Sequence, residues 1–143
     1  MDHYANILID IRKIVRSINL ESKRIQKEFG VSIPQLLCLS YLSTCDSYQS
    51  THRELTRYLH LNSSTVTGII NRLEKNGYIA RLPKKEDRRV TYISLTSAGY
   101  KVLEKTPDLL HEKLEGKLKD LPDEKVLALN DSQYIIFSAL GIE

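Results

Sequence analysis

The chain has 143 residues, enough for one ordinary domain with a buried core, and its 41% hydrophobic and 27% charged residues exclude a disordered or fibrous protein. Two cysteines are too few for a disulfide framework, and no apolar run resembles a signal peptide or spans a bilayer, so we expect a cytoplasmic protein without membrane association. The net charge of +3 is unevenly distributed, because residues 51–89 carry nine Lys or Arg against four acids, which favours a polyanionic partner.

The N-terminal segment is predicted to form one long amphipathic helix. Apolar residues recur at spacings of three and four over residues 4–18, and the helix should continue to about Lys27 and end before Gly30. A second helix is predicted after Ser32, which has the spacing of a capping box with Gln35. The polar stretch that follows, residues 44–50, is expected to be a loop.

Two short helices joined by a tight turn are predicted over residues 51–76. Thr51 is placed to cap the first helix, with Glu54 reaching back to the cap amide, and Asn62 is placed to cap the second. Gly77 follows where a left-handed C-terminal cap is favoured. This pair of helices is the first part of a candidate helix-turn-helix.

The periodicity changes to that of β-structure after Gly77. Residues 78–82 and 90–95 are rich in β-branched and aromatic side chains, and the charged segment 83–89 separates them. The pattern predicts a two-stranded hairpin with a basic tip.

The C-terminal part is predicted to be helical again. Thr96 is placed to cap a long helix, in which Pro107 removes an amide donor and should produce a kink or a split. A last helix is predicted from about residue 122. The helices at both ends of the chain carry more apolar surface than one small domain can bury, so a dimer formed from both termini is expected.

Two short helices, a tight turn and a hairpin follow in the order of a winged helix-turn-helix, whose second helix enters the major groove of DNA. We therefore predict a mainly α fold with a small β-hairpin wing and dimerisation helices at both termini. In the second short helix, one face is apolar and should be buried: Val66, Ile69, Ile70 and Leu73.

The opposite face of that helix is small and polar, with one arginine: Ser63, Ser64, Thr65, Thr67, Gly68, Asn71 and Arg72. Such side chains permit close approach to a duplex and can reach phosphates and base edges. A helix that only faces solvent would more often carry Glu, Lys and Gln, although a Ser/Thr-rich helix start without a partner is the alternative.

The tip of the predicted hairpin supports the same interpretation with four cations: Lys84, Lys85, Arg88 and Arg89. Side chains of this kind can follow the phosphate backbone or enter the minor groove, whereas a solvated basic turn is the alternative for the tip alone. The helix and the tip together, in the correct order, favour DNA binding.

Two stretches of sequence resemble the MarR family of multiple-antibiotic-resistance-type regulators. They are STVT…RLEKNGYIAR over residues 64–81 and DRRVTYISLTSAG over residues 87–99, which contains the Asp-x-Arg and Leu-Thr-x-x-Gly signatures. The resemblance implies a homodimeric transcriptional regulator, with a repressor expected, bound to a palindromic or near-palindromic operator in double-stranded DNA. It further implies an N-terminal dimerisation segment (1–31), a DNA-binding lobe (32–99) and C-terminal dimerisation helices (100–143).

The resemblance also implies roles for individual residues. The helix from Ser63 would contact bases in the major groove, Arg89 would reach the minor groove, and Asp87 would hold a wing arginine in position. Thr51 would contact the DNA backbone. An effector pocket for a small aromatic or phenolic molecule would be lined by apolar residues, which the sequence alone explains better as core: Ile11, Val15, Pro34, Leu37, Cys38 and Tyr41.

Other functions have little support in the sequence. Cys38 and Cys45 are about 10 Å apart if they lie on one helix, so buried structural cysteines are favoured over a redox pair. The four histidines do not cluster with cysteines at metal-ligand spacing, and no phosphate loop or nucleophile motif occurs, so we predict no metal, no cofactor and no enzymatic activity. The serious alternative is a winged helix that binds protein, such as an antirepressor or adaptor.

Overall fold

The computed structural model of the chain describes residues 2–82 and 90–142, and it forms two compact units, Met1–Pro107 and Asp108–Glu143. In its described part the first unit contains five α-helices, one 3₁₀-helix (Asp46–Tyr48) and a small antiparallel sheet: α1 (His3–Phe29), α2 (Ile33–Thr44), β1 (Gln49–Thr51), α3 (His52–Leu59), α4 (Ser63–Lys75), β2 (Ile79–Leu82), β3 (Tyr92–Leu95) and α5 (Ser97–Lys105). The second contains α6 (Leu110–Lys119) and α7 (Asp123–Leu140). The predicted mainly α fold is confirmed.

The first two helices begin and end where their capping residues predict. Gly30 adopts a left-handed conformation with φ 71° and ends α1, a conformation that glycine adopts without steric cost. The capping box of α2 is complete, since Ser32 Oγ accepts from the Gln35 amide at 3.2 Å and the Gln35 side chain accepts from the Ser32 amide at 3.0 Å. These caps fix where α1 ends and where α2 begins.

The sheet has three strands rather than the two that were predicted. Gln49–Thr51, within and just after the expected loop, form β1 and pair antiparallel with β3, which gives the strand order β1-β3-β2. Ser50 lies opposite Ile93, and Arg81 of β2 lies opposite the same residue. A three-residue strand is too short to show alternation in sequence, so only its pairing with a distant partner defines it.

The core of the first unit lies between α2, α3, α4 and the sheet. The predicted apolar face of α4 is buried, which confirms the orientation of that helix. The buried cluster draws one or more residues from each of these helices and from β2 and β3: Cys38, Leu39, Leu42, Leu55, Val66, Ile69, Ile70, Leu73, Ile79 and Ile93. Burying one face of α4 so completely leaves its polar face outward.

The start of α5 approaches the turn between α4 and β2 very closely. Thr96 Oγ1 donates to the carbonyl of Gly77 at 2.6 Å and accepts from the Gly99 amide at 3.1 Å, so one hydroxyl caps α5 and fixes the turn. A Cβ on Gly99 would lie 2.2 Å from the carbonyl oxygen of Tyr78 and 2.8 Å from Cδ1 of Leu95. Thr96 and Gly99 of the Leu-Thr-x-x-Gly signature therefore hold the start of α5 against the turn at Gly77 and Tyr78.

The predicted split at Pro107 is confirmed, because α5 ends at Lys105 and α6 begins at Leu110. In the second unit α7 has no buried residue among those described, and its apolar side chains include Leu127 and Tyr134, which are 63% and 71% exposed. No helix in the described ranges is long and apolar enough to cross a membrane.

Candidate nucleic-acid interface

The helix-turn-helix is formed by α3, a three-residue turn and α4. Thr51 Oγ1 accepts from the Glu54 amide at 3.2 Å, and Asn62 Oδ1 accepts from the Thr65 amide at 2.8 Å, so both predicted caps are present. The Glu54 side chain was expected to accept a hydrogen bond from the backbone amide of the cap residue. Its carboxylate instead accepts from the Ser50 hydroxyl at 2.6 Å, because β1 brings Ser50 within reach.

The polar face of α4 is open to solvent, as predicted. Of its seven candidate residues, Gly68 is half-buried. The other six are exposed: Ser63, Ser64, Thr65, Thr67, Asn71 and Arg72. A Cβ on Gly68 would meet nothing within 4 Å, so the helix surface is shallow there and leaves room for a base edge or a methyl group. The face is therefore accessible from solvent, with the core side chains on the opposite side of the helix.

Arg81, which the sequence analysis did not single out, links the wing strand β2 to α4. Its Nη2 donates to Asn71 Oδ1, and its Nε lies 3.6 Å from the Glu74 carboxylate. The amide oxygen of Asn71 is therefore engaged within the protein, which leaves its NH₂ group as the donor available to a base. No sequence motif signals this contact, because it joins residues ten positions apart through the turn at Gly77.

A cleft of about 640 Å³ opens between α3, α4 and the wing strands. Two guanidinium groups, those of Arg53 and Arg81, and the imidazole of His52 line it together with Thr51 and Thr67, and the described lining contains no acidic side chain. In its described part the cleft is therefore lined by basic and uncharged side chains and lies beside the open face of α4.

The five predicted wing residues lie outside the described residues: Lys84, Lys85, Asp87, Arg88 and Arg89. Their predicted roles stay predictions. Thr51 lies in the cleft, next to the described ends of the wing strands.

The six residues predicted to line an effector pocket occupy different surroundings. Ile11 and Val15 line an open groove along α1, whereas Cys38 is fully buried in the core of the first unit. Pro34 and Leu37 are half-buried on α2, and Tyr41 stacks on Tyr58 with ring centroids 4.5 Å apart. The other four residues do not line the groove that Ile11 and Val15 share.

The two cysteines differ in environment, and Cys45 follows the last residue of α2 rather than lying within it. Burial raises the pKa of the Cys38 thiol to about 12, so this side chain stays protonated at neutral pH and is a poor nucleophile. Burial also raises the pKa of Cys45, whose Sγ donates to the Tyr41 carbonyl.

In residues 2–82 and 90–142, no group of three or more His, Cys, Asp or Glu could hold a metal ion.

The contact between Arg81 and Asn71 predicts coupled effects on base preference. Asn71→Ala should change which duplex sequences bind, and Arg81→Met should reproduce part of that change because it releases the Asn71 side chain. In a double-mutant cycle on operator affinity we expect a coupling energy of about 1 kcal/mol. Strictly additive effects would show that Arg81 does not position Asn71, and an Asn71→Ala variant that weakens all sequences equally would show that Asn71 does not contact a base.

The central part of the chain matches a known protein family. Residues 31–91 match the sequence model of the MarR family. The chain is 26% identical over 132 residues to the HTH-type transcriptional regulator YsmB of Bacillus subtilis. The aligned residues cover 92% of this chain and 89% of that protein. It is 25% identical over 118 residues to the HTH-type transcriptional repressor IacR of Pseudomonas putida, and these residues cover 82% of this chain and 70% of that protein.

Solved structures share the fold at low sequence identity. Sco3205, a MarR family regulator from Streptomyces coelicolor crystallised with DNA, superposes with a TM-score of 0.69 at 23% identity, over 95% of this chain and 88% of that one. NadR in complex with 4-hydroxyphenylacetate superposes with a TM-score of 0.62 at 23% identity, over 95% of each chain. The winged-helix architecture of this chain is thereby confirmed.

Proposed function

We propose that this chain, a member of the MarR family of transcriptional regulators through residues 31–91, binds a palindromic operator in double-stranded DNA as a homodimer. The observation that carries the proposal is the open polar face of α4 beside the cationic cleft. The face supplies hydroxyl, amide and guanidinium groups for base edges, and Arg53 supplies charge for an adjacent phosphate, whereas Arg81 is paired with Glu74. Arg72, near the C-terminal end of the same face, adds a further cation.

Apolar surface on the terminal helices supports the homodimer. On α1, Ile7, Leu8 and Ile14 are 51%, 55% and 59% exposed. On α7, Leu127 and Tyr134 are more exposed still. Monomeric proteins seldom leave such concentrated apolar surface in water, and a second copy of the chain would bury it. A two-fold dimer presents two recognition helices to two half-sites of inverted sequence.

Repression and release by a small molecule complete the proposal. The relative IacR is named a repressor, and the structural neighbour NadR binds 4-hydroxyphenylacetate, a phenolic acid. In this chain the groove along α1 combines apolar Ile11 and Val15 with Arg12, Arg16 and Lys23, which suits an aromatic ring bearing a carboxylate. We expect such a compound to lower operator affinity.

Selection of bound duplexes from a random-sequence library, followed by affinity titration at several salt concentrations, tests the DNA-binding proposal. An inverted repeat should be enriched, and the logarithm of affinity should fall by about 0.9 per log unit of salt for each phosphate contacted. Failure to enrich any sequence, with salt-insensitive capture of a protein instead, would favour a winged helix that serves as an antirepressor or adaptor.

The wing tip is predicted to contribute strongly to operator binding. Arg89→Ala should weaken it by about 1–3 kcal/mol while leaving dimerisation intact. Alanine at Lys84 and Lys85 should weaken all sequences alike and reduce the salt slope, because these side chains are expected to contact phosphates only. The measurement is fluorescence anisotropy with the selected duplex and a scrambled one, and unchanged affinity of the Arg89→Ala variant would exclude the wing from binding.

A further inference from the structure

The side-chain hydroxyl of Thr67, on the face of α4 that is proposed to enter the major groove, is engaged within the protein. Its Oγ1 donates to the carbonyl of Ser63, one turn earlier on the same helix, at 3.0 Å. The same oxygen lies 2.9 Å from Nε2 of His52, the first residue of α3. The hydroxyl is therefore held by both helices of the helix-turn-helix, although the Thr67 residue is exposed.

The proton of this hydroxyl stays within the protein whichever ring nitrogen of His52 carries hydrogen. When Nε2 carries a hydrogen, it donates to Thr67 Oγ1, and the threonine proton goes to the Ser63 carbonyl. When Nε2 carries none, the threonine proton goes to Nε2 or to the same carbonyl. In every case Thr67 has no proton left to donate to a base or a phosphate.

The hydroxyl of Ser64 is engaged as well. Its Oγ donates to Oδ1 of Asn62, the cap residue of α4, at 2.8 Å. Ser64, Thr67 and Gly68, which we call the central patch, adjoin one another on the helix surface because residues three and four apart lie side by side. The central patch therefore offers DNA no side-chain proton, whereas Asn71, one turn further along, offers its NH₂ group.

An apolar group is what the central patch can offer to a base. The methyl group of Thr67 belongs to an exposed side chain, and a Cβ on the adjacent Gly68 would meet nothing within 4 Å. In the major groove guanine presents the acceptors N7 and O6, whereas thymine presents its C5-methyl group. Guanine against the patch would lose water without gaining a donor, which is unfavourable, and thymine would bury its methyl group.

We propose that Thr67 is a specificity-determining residue whose methyl group contacts the C5-methyl group of a thymine in each half-site of the operator. His52 positions Thr67 by holding its hydroxyl, and the open surface at Gly68 accommodates the thymine. The inference rests on the proposed DNA-binding function, and it adds the base that the middle of the recognition helix selects.

Replacement of single thymines by deoxyuridine tests the proposal, because uracil differs from thymine only in lacking the C5-methyl group. The probe is the inverted-repeat duplex recovered from the random-sequence selection, and each thymine is replaced symmetrically in both half-sites. At one thymine position the replacement should weaken binding of the full chain about fourfold per half-site, or about 15-fold for the pair, as expected for burial of a methyl-sized group. Fluorescence anisotropy at constant salt concentration measures the affinity.

Thr67→Ser identifies the protein side of the contact. Serine keeps the hydroxyl, and with it the bonds to Ser63 and His52, but lacks the methyl group. This variant should bind the thymine and uracil duplexes with nearly equal affinity, close to that of the wild type for the uracil duplex. Thr65→Ser is the matched control, since it makes the same chemical change at another exposed position of α4, and it should keep the wild-type penalty for uracil.

Two results would overturn the inference: no thymine position at which uracil weakens binding, or a Thr67→Ser variant that keeps the wild-type penalty for uracil. Either result, obtained while the wild type binds the selected inverted repeat tightly, would leave the proposed function in place. If the wild type binds no duplex tightly, the proposed function is contradicted, and the inference with it.

Discussion

Removal of α7 by truncation before residue 122 is expected to give a monomer that binds operator DNA about 100-fold more weakly or worse. The proposed dimer uses apolar side chains of this helix, and none of its described residues is buried within the chain. A monomer loses the second recognition helix, and the second contact of a linked pair raises affinity by about 10²–10⁴. Sedimentation and anisotropy with the selected duplex measure both effects.

A charge substitution separates loss of the interface from loss of the fold. Glutamate at Leu127 and Tyr134, one face of α7 at a spacing of seven, should also produce a monomer, because two carboxylates would be buried at the interface. Glutamate at Ser132 and Gln133 adds the same charge at polar positions and should leave the dimer intact. A truncated or doubly charged protein that remains a dimer with full affinity would contradict the assignment of α7 to the interface.

Gly99→Ala is expected to lower the free energy of unfolding by about 3 kcal/mol, at the upper end of the cost of overpacking. The added Cβ would lie 2.2 Å from a backbone carbonyl oxygen, that of Tyr78, and 2.8 Å from the Leu95 side chain. Backbone cannot rotate away as a flexible side chain can, so α5 must shift outward. That shift would stretch the hydrogen bond from Thr96 to Gly77.

Urea denaturation measures the effect as a lower midpoint at unchanged slope. Gly68→Ala is the matched control, because Gly68 also lies in a helix and a Cβ there meets nothing within 4 Å. This control should be neutral or gain about 0.5–1 kcal/mol from the better helix propensity of alanine. If both variants unfold at the same urea concentration as the wild type, the close approach of α5 to the turn does not limit stability.

The difference between these two glycines shows where sequence reasoning ends. Both occur in helical patterns: Gly68 belongs to the polar face of the second short helix, and Gly99 belongs to the Leu-Thr-x-x-Gly signature. The structure shows that Gly68 faces open space and that Gly99 permits contact with Tyr78, a residue 21 positions earlier in the chain. Spacing within one helix carries no information about a distant backbone.

Local sequence patterns were sufficient to predict the helices, their caps and the orientation of α4. Ser32 with Gln35, Thr51, Asn62 and Thr96 act on amides within three residues, and amphipathic spacing fixes which face of a helix is buried. These local signals, together with the order of the elements, were enough to predict a winged helix-turn-helix and its polar recognition face.

The contacts that join elements distant in sequence could be found only in the folded chain. The strand β1 exists because β3 pairs with it, Arg81 reaches Asn71 across the turn at Gly77, and His52 meets Thr67 because α3 and α4 cross. The energy of each such contact depends on chain segments brought together by the core, so no local pattern of residue types encodes it.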